Sequence, residues 1–236
     1  RSTPSNSSAA SDVYKRQVKN LRKGGIDMAN KIYTIGREFG SGGREVGEKL
    51  AAKLGIKLYD KELLQQAAKD SGFCEEIFEN HDEKPTNSFL YSLVMDTYSV
   101  SGYSAAPFLD MPLNHKVFLA QFETIKKIAE KESCVIVGRC ADYALSDNPD
   151  CIDKFIHADL DVRIKNVSRN LNITENKARD IINKTDKQRA SYYNYYTSKK
   201  WGDSKSYNLS LDAGKLGTDN CVEMILKFRE LMDAMK

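Results

Sequence analysis

Four residues, Gly40-Ser41-Gly42-Gly43, follow a short apolar run and precede a segment with helical spacing. Glycine amides can turn towards a ligand because no side chain obstructs them, and the N-terminus of a helix favours anions. This stretch therefore predicts a loop that binds phosphate groups. It departs from the strict G-x-x-x-x-G-K-[ST] template, because Arg44 and Glu45 stand where a lysine and a hydroxyl residue are usual.

These two replacements change the chemistry that the loop can offer. Arg44 supplies a cation in place of lysine, but its planar guanidinium would clamp phosphate oxygens differently. Glu45 cannot copy a hydroxyl ligand of magnesium, although a carboxylate can bind the ion itself. Glu45 is therefore a candidate ligand for Mg²⁺.

A dinucleotide-binding loop is the rival interpretation. It requires G-x-G-x-x-G, and Glu45 occupies the place of the third glycine after Gly40 and Gly42. Asp60 lies near the distance expected for an acid that binds a ribose hydroxyl. An NAD-dependent enzyme is thus disfavoured by the spacing but stays open, as does a glycine turn with a purely structural role.

Short apolar segments between helical patterns predict the elements that position these residues. The opening order of strand, glycine loop, helix, strand and helix indicates a parallel sheet with crossover helices. In such sheets ligands bind at the carboxyl ends of the strands. The predicted strands cover 32–36, 56–60, 134–138, 153–159 and part of 206–214.

Charged residues near these strand ends have two open interpretations. Arg139 follows a fully apolar strand, where an arginine is costly to bury unless it meets an anionic ligand or a carboxylate. Arg163 suits either phosphate binding or a salt bridge on a helix surface. Lys184, Asp186 and Arg189 bracket one helical turn, and a solvated charged face explains them almost as well as a ligand site.

Composition describes an ordinary globular protein. The 236 residues are 41% hydrophobic and 29% charged, and no apolar run approaches the length of a membrane span. The net charge of +3 lacks the basic excess typical of nucleic-acid binders. Five cysteines show no metal-ligand spacing with the three histidines, which predicts reduced thiols in a cytoplasmic protein.

The chain ends and one internal segment stand apart from the periodic regions. Residues 1–27 carry no helical or strand period, and Lys23-Gly24-Gly25 can be encoded by a ribosome-binding sequence just before Met28. We therefore expect 1–27 to be a non-native, disordered leader and 28–236 to form one domain. Residues 73–115 are rich in proline, serine and tyrosine and predict a variable insertion.

Three segments together resemble the cytidylate kinase-like family of bacterial P-loop proteins. They are TIGREFGSGGREVGEKLAAKLGIKLYDKELL (34–64), CVIVGRCADYAL (134–145) and INKTDKQRASYYNYYTSKKWGD (182–203). The resemblance extends from Lys31 nearly to the C-terminus. It implies an α/β fold of the P-loop NTPase type, with three layers, a parallel sheet and a helical lid over about 160–203.

The resemblance also implies an activity and a set of site residues. It implies phosphoryl transfer from ATP, with Mg²⁺, to a nucleoside monophosphate such as CMP or dCMP. No nucleic acid or membrane partner is implied. The implied donor-phosphate residues are Gly40, Ser41, Gly42, Gly43, Arg44 and Glu45; the acceptor residues are Asp60, Arg139 and Asp186; the catalytic cations are Arg44, Arg163, Lys184 and Arg189.

Two departures from true cytidylate kinases keep a second function open. The P-loop lysine and hydroxyl residue are absent, and Cys140 replaces the aspartate that follows the arginine of their GRD motif. A catalytically silent nucleotide sensor of the same fold is therefore the alternative to a nucleotide kinase.

Overall fold

The computed structural model describes residues 30–72, 75–83 and 112–235. The predicted leader, 1–27, lies outside these residues, and so does most of the predicted insertion. The parts of 73–115 that are described are mostly helical. One short helix spans 75–81, and a long helix begins at Leu113.

Five parallel strands form one sheet, as predicted. The strands are β1 (Ile32–Arg37), β2 (Lys57–Tyr59), β3 (Cys134–Val137), β4 (Cys151–His157) and β5 (Leu209–Asp212). Their order across the sheet is β2-β3-β1-β4-β5, so β1 lies in the middle and pairs with β3 and β4. The carboxyl ends of all five strands consequently lie at one edge, which also receives the glycine loop after β1.

Eight α-helices are described in these three ranges. They are α1 (Gly43–Leu54), α2 (Lys61–Ser71), α3 (Glu75–His81), α4 (Leu113–Lys131), α5 (Ala141–Ala144), α6 (Leu160–Leu171), α7 (Glu175–Thr197) and α8 (Ala213–Ala234). The last helix begins earlier than the predicted start near residue 220, and it is kinked at Gly217 (φ 75°). No helix within 30–72, 75–83 or 112–235 combines the length and apolarity needed to cross a bilayer.

Two apolar layers cover the sheet, one on each face. Alternation along β1 explains the division, since Tyr33 and Ile35 face α1 and α8, while Ile32 faces α2, α4 and α5. Both layers consist mainly of aliphatic side chains that are almost fully buried. The fold is therefore the predicted three-layer α/β arrangement of the P-loop NTPase type.

Gly47 allows α1 to lie close to the sheet. A Cβ atom at this position would come within 3.2–3.3 Å of side-chain carbons of Val137, Ile35 and Leu58. Helix α1 therefore approaches the ends of β1 and β3 closely, and its N-terminus is held at the edge of the sheet where the glycine loop lies.

Candidate active site

The glycine loop runs from the end of β1 to the start of α1. Gly40 and Gly42 have φ angles of 80° and 88°, a region that glycine enters at little cost. Ser41 is buried, and its Oγ lies 2.9 Å from the carbonyl oxygen of Glu38 and 3.1 Å from that of Ile156. The serine hydroxyl therefore closes the loop, while the first-turn amides of α1 have no partner inside the helix.

Arg163 and Asp186 hold this loop from α6 and α7. The Phe39 amide donates to Asp186 Oδ1 at 2.8 Å, and Arg163 Nη1 donates to Asp186 Oδ2 at 2.5 Å. Arg163 also donates to the carbonyl oxygens of Ala158 at 3.0 Å and Phe39 at 3.3 Å. Both side chains are thus occupied by protein groups, and their contacts fix the position of the loop.

Asp186→Asn tests this arrangement. The neutral amide removes one of the two ionic partners of the largely buried Arg163, which keeps Glu38 at 3.3 Å. We therefore expect the free energy of unfolding to fall by about 2 kcal/mol. Exposed Asp180 on the same helix gives the matched control, Asp180→Asn, for which the change should stay within about 0.5 kcal/mol. Urea unfolding followed by circular dichroism measures both; equal stabilities would contradict the contact's role.

Arg44 and Glu45 lie at the exposed start of α1. Arg44 is 58% exposed, and its Nε lies 3.0 Å from Glu48 Oε1 and 3.5 Å from Asp60 Oδ2. Glu45 accepts a hydrogen bond from Thr218 Oγ1 at 2.8 Å and pairs with Lys49 at 3.0 Å. Arg44 is therefore free to reorient towards a ligand, whereas Glu45 is tied to the start of α8.

Glu45 is the predicted candidate ligand for Mg²⁺. Hydrogen bonds from Lys49 and Thr218 hold its pKa below the ordinary value, and both of these partners contact the same carboxylate oxygen, Oε1. Within the described residues, no three His, Cys, Asp or Glu side chains form a group able to hold a metal. Nucleotide-bound Mg²⁺ takes many of its ligands from phosphate and water, so an ion that enters with ATP needs few protein ligands.

A small cleft opens beside the loop, at the carboxyl ends of β1 and β3. Three arginines line one part of it, and aromatic rings with one carboxyl group line the other. The lining includes Thr34, Arg37, Glu83, Gly138, Arg139, Asp142, Arg189, Tyr192, Tyr193, Trp201 and Tyr207. One end of the cleft, named the cationic end for its three arginines, has their charges balanced by carboxylates of the protein, and the other end is aromatic.

Arg139 is buried under the cationic end. Gly138, Arg139 and Cys140 all have positive φ angles (76°, 54° and 55°), so the chain turns sharply after β3. Arg139 forms a bidentate pair with Asp82 at 2.9 and 2.8 Å, and it donates to Asp60 Oδ1 at 3.1 Å. Burial alone would lower its pKa, but the neighbouring carboxylates outweigh burial and hold the pKa above its ordinary value.

Glu83 lies between the other two arginines. Its Oε1 accepts from Arg37 Nη1 at 2.8 Å and its Oε2 from Arg189 Nε at 3.1 Å. Burial would raise the pKa of Glu83, but Arg37 and Arg189 outweigh burial, and the pKa lies well below its ordinary value. Gly138 makes this contact possible, because a Cβ there would lie 2.6 Å from Glu83 Oε1.

Arg189 connects the cleft with the glycine loop. Its Nη1 donates to the carbonyl oxygen of Arg37 at 3.3 Å, and its guanidinium carbon lies 5.6 Å from the centroid of the Phe39 ring. Arg189 therefore contacts both the loop that precedes α1 and the Glu83 carboxylate in the cleft. The place of this carboxylate between Arg37 and Arg189 is the anion position of the cleft.

The aromatic end of the cleft contains one buried carboxyl group, that of Asp142. It accepts a hydrogen bond from the Tyr193 hydroxyl at 2.6 Å. Burial raises the pKa of Asp142 to about 6, although this hydrogen bond opposes the shift. Asp153 raises the pKa further and Lys199 lowers it. The cleft thus offers a buried hydrogen-bond acceptor beside aromatic rings.

Asp142→Asn should stabilise the protein at pH 8. The folded pKa lies above the unfolded value of 3.8, so ionised Asp142 destabilises the fold above pH 6, and the cost disappears as the pH falls towards 4. A shift of this size corresponds to about 2–3 kcal/mol, or a rise in Tm of roughly 5 °C at pH 8. Calorimetry at pH 8 and pH 4 measures it; an advantage that persists at pH 4 would contradict the assignment.

The structure brings several of the predicted site residues together. Arg44, Asp60 and Arg139 form one chain of contacts, and Arg163 with Asp186 form another. Lys184 lies on the exposed surface of α7. These placements leave the predicted roles as predictions.

Sequence reasoning missed four residues that line or support the cleft: Arg37, Asp82, Glu83 and Asp142. Arg37 had the same signal as Arg139, because it too follows an apolar strand. Asp82 and Glu83 lie in an irregular segment, and no periodic pattern in the sequence could have placed them at the cleft.

Comparison with known families shows to which family the chain belongs. A sequence model described as the cytidylate kinase-like family matches residues 32–215. The chain belongs to the cytidylate kinase-like family. Its matched region contains both the glycine loop and all the arginines of the cleft. No curated protein matches the chain significantly.

Three solved structures are similar to this chain to different degrees. An uncharacterized protein from Eubacterium ventriosum shares 36% identity, with 85% of this chain and 99% of that chain covered and a TM-score of 0.64. Shikimate kinase from Bacteroides thetaiotaomicron shares 14% identity, with 85% and 98% covered and a TM-score of 0.49. Shikimate kinase from Aquifex aeolicus shares 20%, with 85% and 96% covered and a TM-score of 0.41.

Proposed function

We propose that the protein is a nucleotide kinase that transfers a phosphoryl group from ATP to a nucleoside monophosphate, with CMP or dCMP as the first acceptors to test. The observation that carries the proposal is the meeting of Arg37, Arg139 and Arg189 at the carboxyl ends of β1 and β3, directly beside the glycine loop. Phosphoryl transfer depends mainly on holding two phosphates in line and neutralising the charge that develops between them.

The donor phosphates bind at the glycine loop in this proposal. The first-turn amides of α1 and the dipole of that helix favour their negative charge. Arg44 swings from Glu48 and Asp60 to the phosphates, which its high exposure permits. Arg163 and Asp186 keep the loop in place, so they act as positioning residues.

The acceptor occupies the cleft with its phosphate at the cationic end. Arg37 and Arg189 bind that phosphate, because guanidinium groups recognise carboxylate and phosphate oxygens in the same bidentate manner. Arg139 orients Asp60 and Asp82 beneath them. The base of the acceptor lies among Tyr192, Tyr193 and Trp201, where Asp142 can accept a hydrogen bond from an amino group.

A nucleotide sensor that transfers nothing is the second candidate. The absence of a P-loop lysine and hydroxyl residue favours it. The arginines around the anion position favour transfer, because a sensor needs only one phosphate site, whereas this chain has a glycine loop and a separate cationic cleft.

ADP production by the full chain with Mg-ATP tests the proposal. CMP, dCMP, UMP, AMP, GMP and a sample without acceptor form the panel. Turnover that depends on the acceptor establishes a monophosphate kinase. ATP binding in calorimetry without turnover for any acceptor establishes the sensor instead, and the absence of ATP binding rejects both.

A further inference from the structure

The anion position of the cleft is already filled by the protein itself. The Glu83 carboxylate bridges Arg37 and Arg189, with its two oxygens 2.8 and 3.1 Å from their nitrogens. Next to it, Asp82 pairs with both donor edges of Arg139. These are the contacts that a phosphate group would make with the same guanidinium groups.

The charge balance makes simultaneous occupation unfavourable. Three arginines meet three carboxylates, those of Asp60, Asp82 and Glu83, so the cationic end has no excess charge for a ligand. A phosphate that entered beside Glu83 would place like charges at close range in a partly buried site, which costs free energy. Removing the Glu83 carboxylate from the arginines would instead leave an excess positive charge.

Displacement of Glu83 from the arginines does not require helix α3 to unfold. Helix α3 is anchored by Phe78, which is fully buried against Leu64, Ala67 and Val117. Asp82 and Glu83 follow the end of α3, and Glu83 has a φ angle of 51°, a conformation that costs a non-glycine residue free energy. Loss of the arginine contacts would allow this residue to relax.

We propose that Glu83, supported by Asp82, is an internal substitute for the ligand phosphate, and that a phosphate-bearing ligand must displace it from Arg37 and Arg189 to bind. The contact is thus autoinhibitory, and it sets the affinity of the acceptor site. The inference rests on the proposed function only in one respect, namely that the phosphate-bearing ligand is a nucleoside monophosphate acceptor. The exchange of one anion for another can be measured without turnover.

Calorimetric titration of the full chain with inorganic phosphate, and separately with CMP, tests the exchange. Glu83→Gln keeps the shape of the side chain but removes its charge, and we expect the Kd for both ligands to fall about tenfold or more. Asp82→Asn, which leaves the Glu83 bridge intact, should lower the Kd less. Exposed Glu79→Gln on α3 is the matched control and should leave both Kd values unchanged.

The opposite result identifies a different role. If Glu83→Gln weakens the binding of phosphate and CMP while circular dichroism and Tm show a folded protein, Glu83 helps to hold the ligand and the proposal is wrong. Equal Kd values in wild type and variant also overturn it. If Glu83→Gln does not fold, Glu83→Asp supplies the test: its shorter side chain weakens the bridge, and an unchanged or higher Kd rejects the exchange. If the chain produces no ADP from ATP, the kinase assignment is rejected. The Kd values for phosphate and CMP still test the exchange, because they do not depend on turnover.

Discussion

Arg189→Ala is expected to lower kcat/KM for the acceptor by at least about 10²-fold while leaving the protein folded. The arginine contacts the anion position through Glu83 and the glycine loop through the Arg37 carbonyl. Truncating a largely buried charged partner of a ligand typically costs about 2–5 kcal/mol, and a cost of about 3 kcal/mol corresponds to that loss. Steady-state kinetics with the best acceptor of the panel measures it.

Two controls separate a ligand contact from a structural one. Lys187→Ala removes an exposed cation two positions away on the same helix, and its kinetics should match the wild type. Arg189→Lys keeps a charge but loses the planar fork, so we expect partial recovery of kcat/KM. Wild-type kinetics for Arg189→Ala would contradict the placement of the acceptor phosphate at this end of the cleft.

The sheet could be predicted because its strands are buried on both faces and read as apolar runs. The segment from Cys134 to Val137 is the clearest example, since all four residues are buried. The first residue of α8 was harder to predict than the strands. Glycines at 214 and 217 broke the helical pattern, while the Asp212 side chain caps the helix at the amides of residues 214 and 215.

The site could be predicted only where a residue follows a regular element. Arg139 follows β3, and its need for an anionic partner could be stated from burial alone. The identity of that partner could not, because Asp82 belongs to an irregular segment far away in sequence. Arg163 was predicted either to bind phosphate or to form a salt bridge. Its contacts with protein oxygens beneath the loop could not be read from the sequence, because they come from residues of other elements.

Arg139 also shows how a predicted ligand residue can carry stability. Its side chain is only 3% exposed, and four of its hydrogen bonds go to Asp82, Asp60 and the Val137 carbonyl oxygen. Little of the guanidinium remains for a phosphate in this arrangement. Its removal should therefore be seen first in the free energy of unfolding and only then in acceptor affinity.

Arg139→Ala is expected to destabilise the protein by about 3–5 kcal/mol at pH 7, because it leaves buried carboxylates without their partner. For a chain of this size, such a loss lowers Tm by roughly 10 °C. Exposed Arg169→Ala on α6 is the matched control and should change Tm by less than about 2 °C. Differential scanning calorimetry at several pH values measures both variants.

The pH dependence identifies the cause of that loss. Burial raises the pKa of Asp82 even in the wild type, where Arg139 opposes the shift. Without the arginine the pKa rises further, and an acid with a raised folded pKa destabilises the protein above that pKa and ceases to do so below it. The deficit of Arg139→Ala should therefore shrink as the pH falls from 7 towards 4. A deficit that stays constant over this range would mean that lost packing of the arginine stem, rather than the uncompensated carboxylates, accounts for the destabilisation.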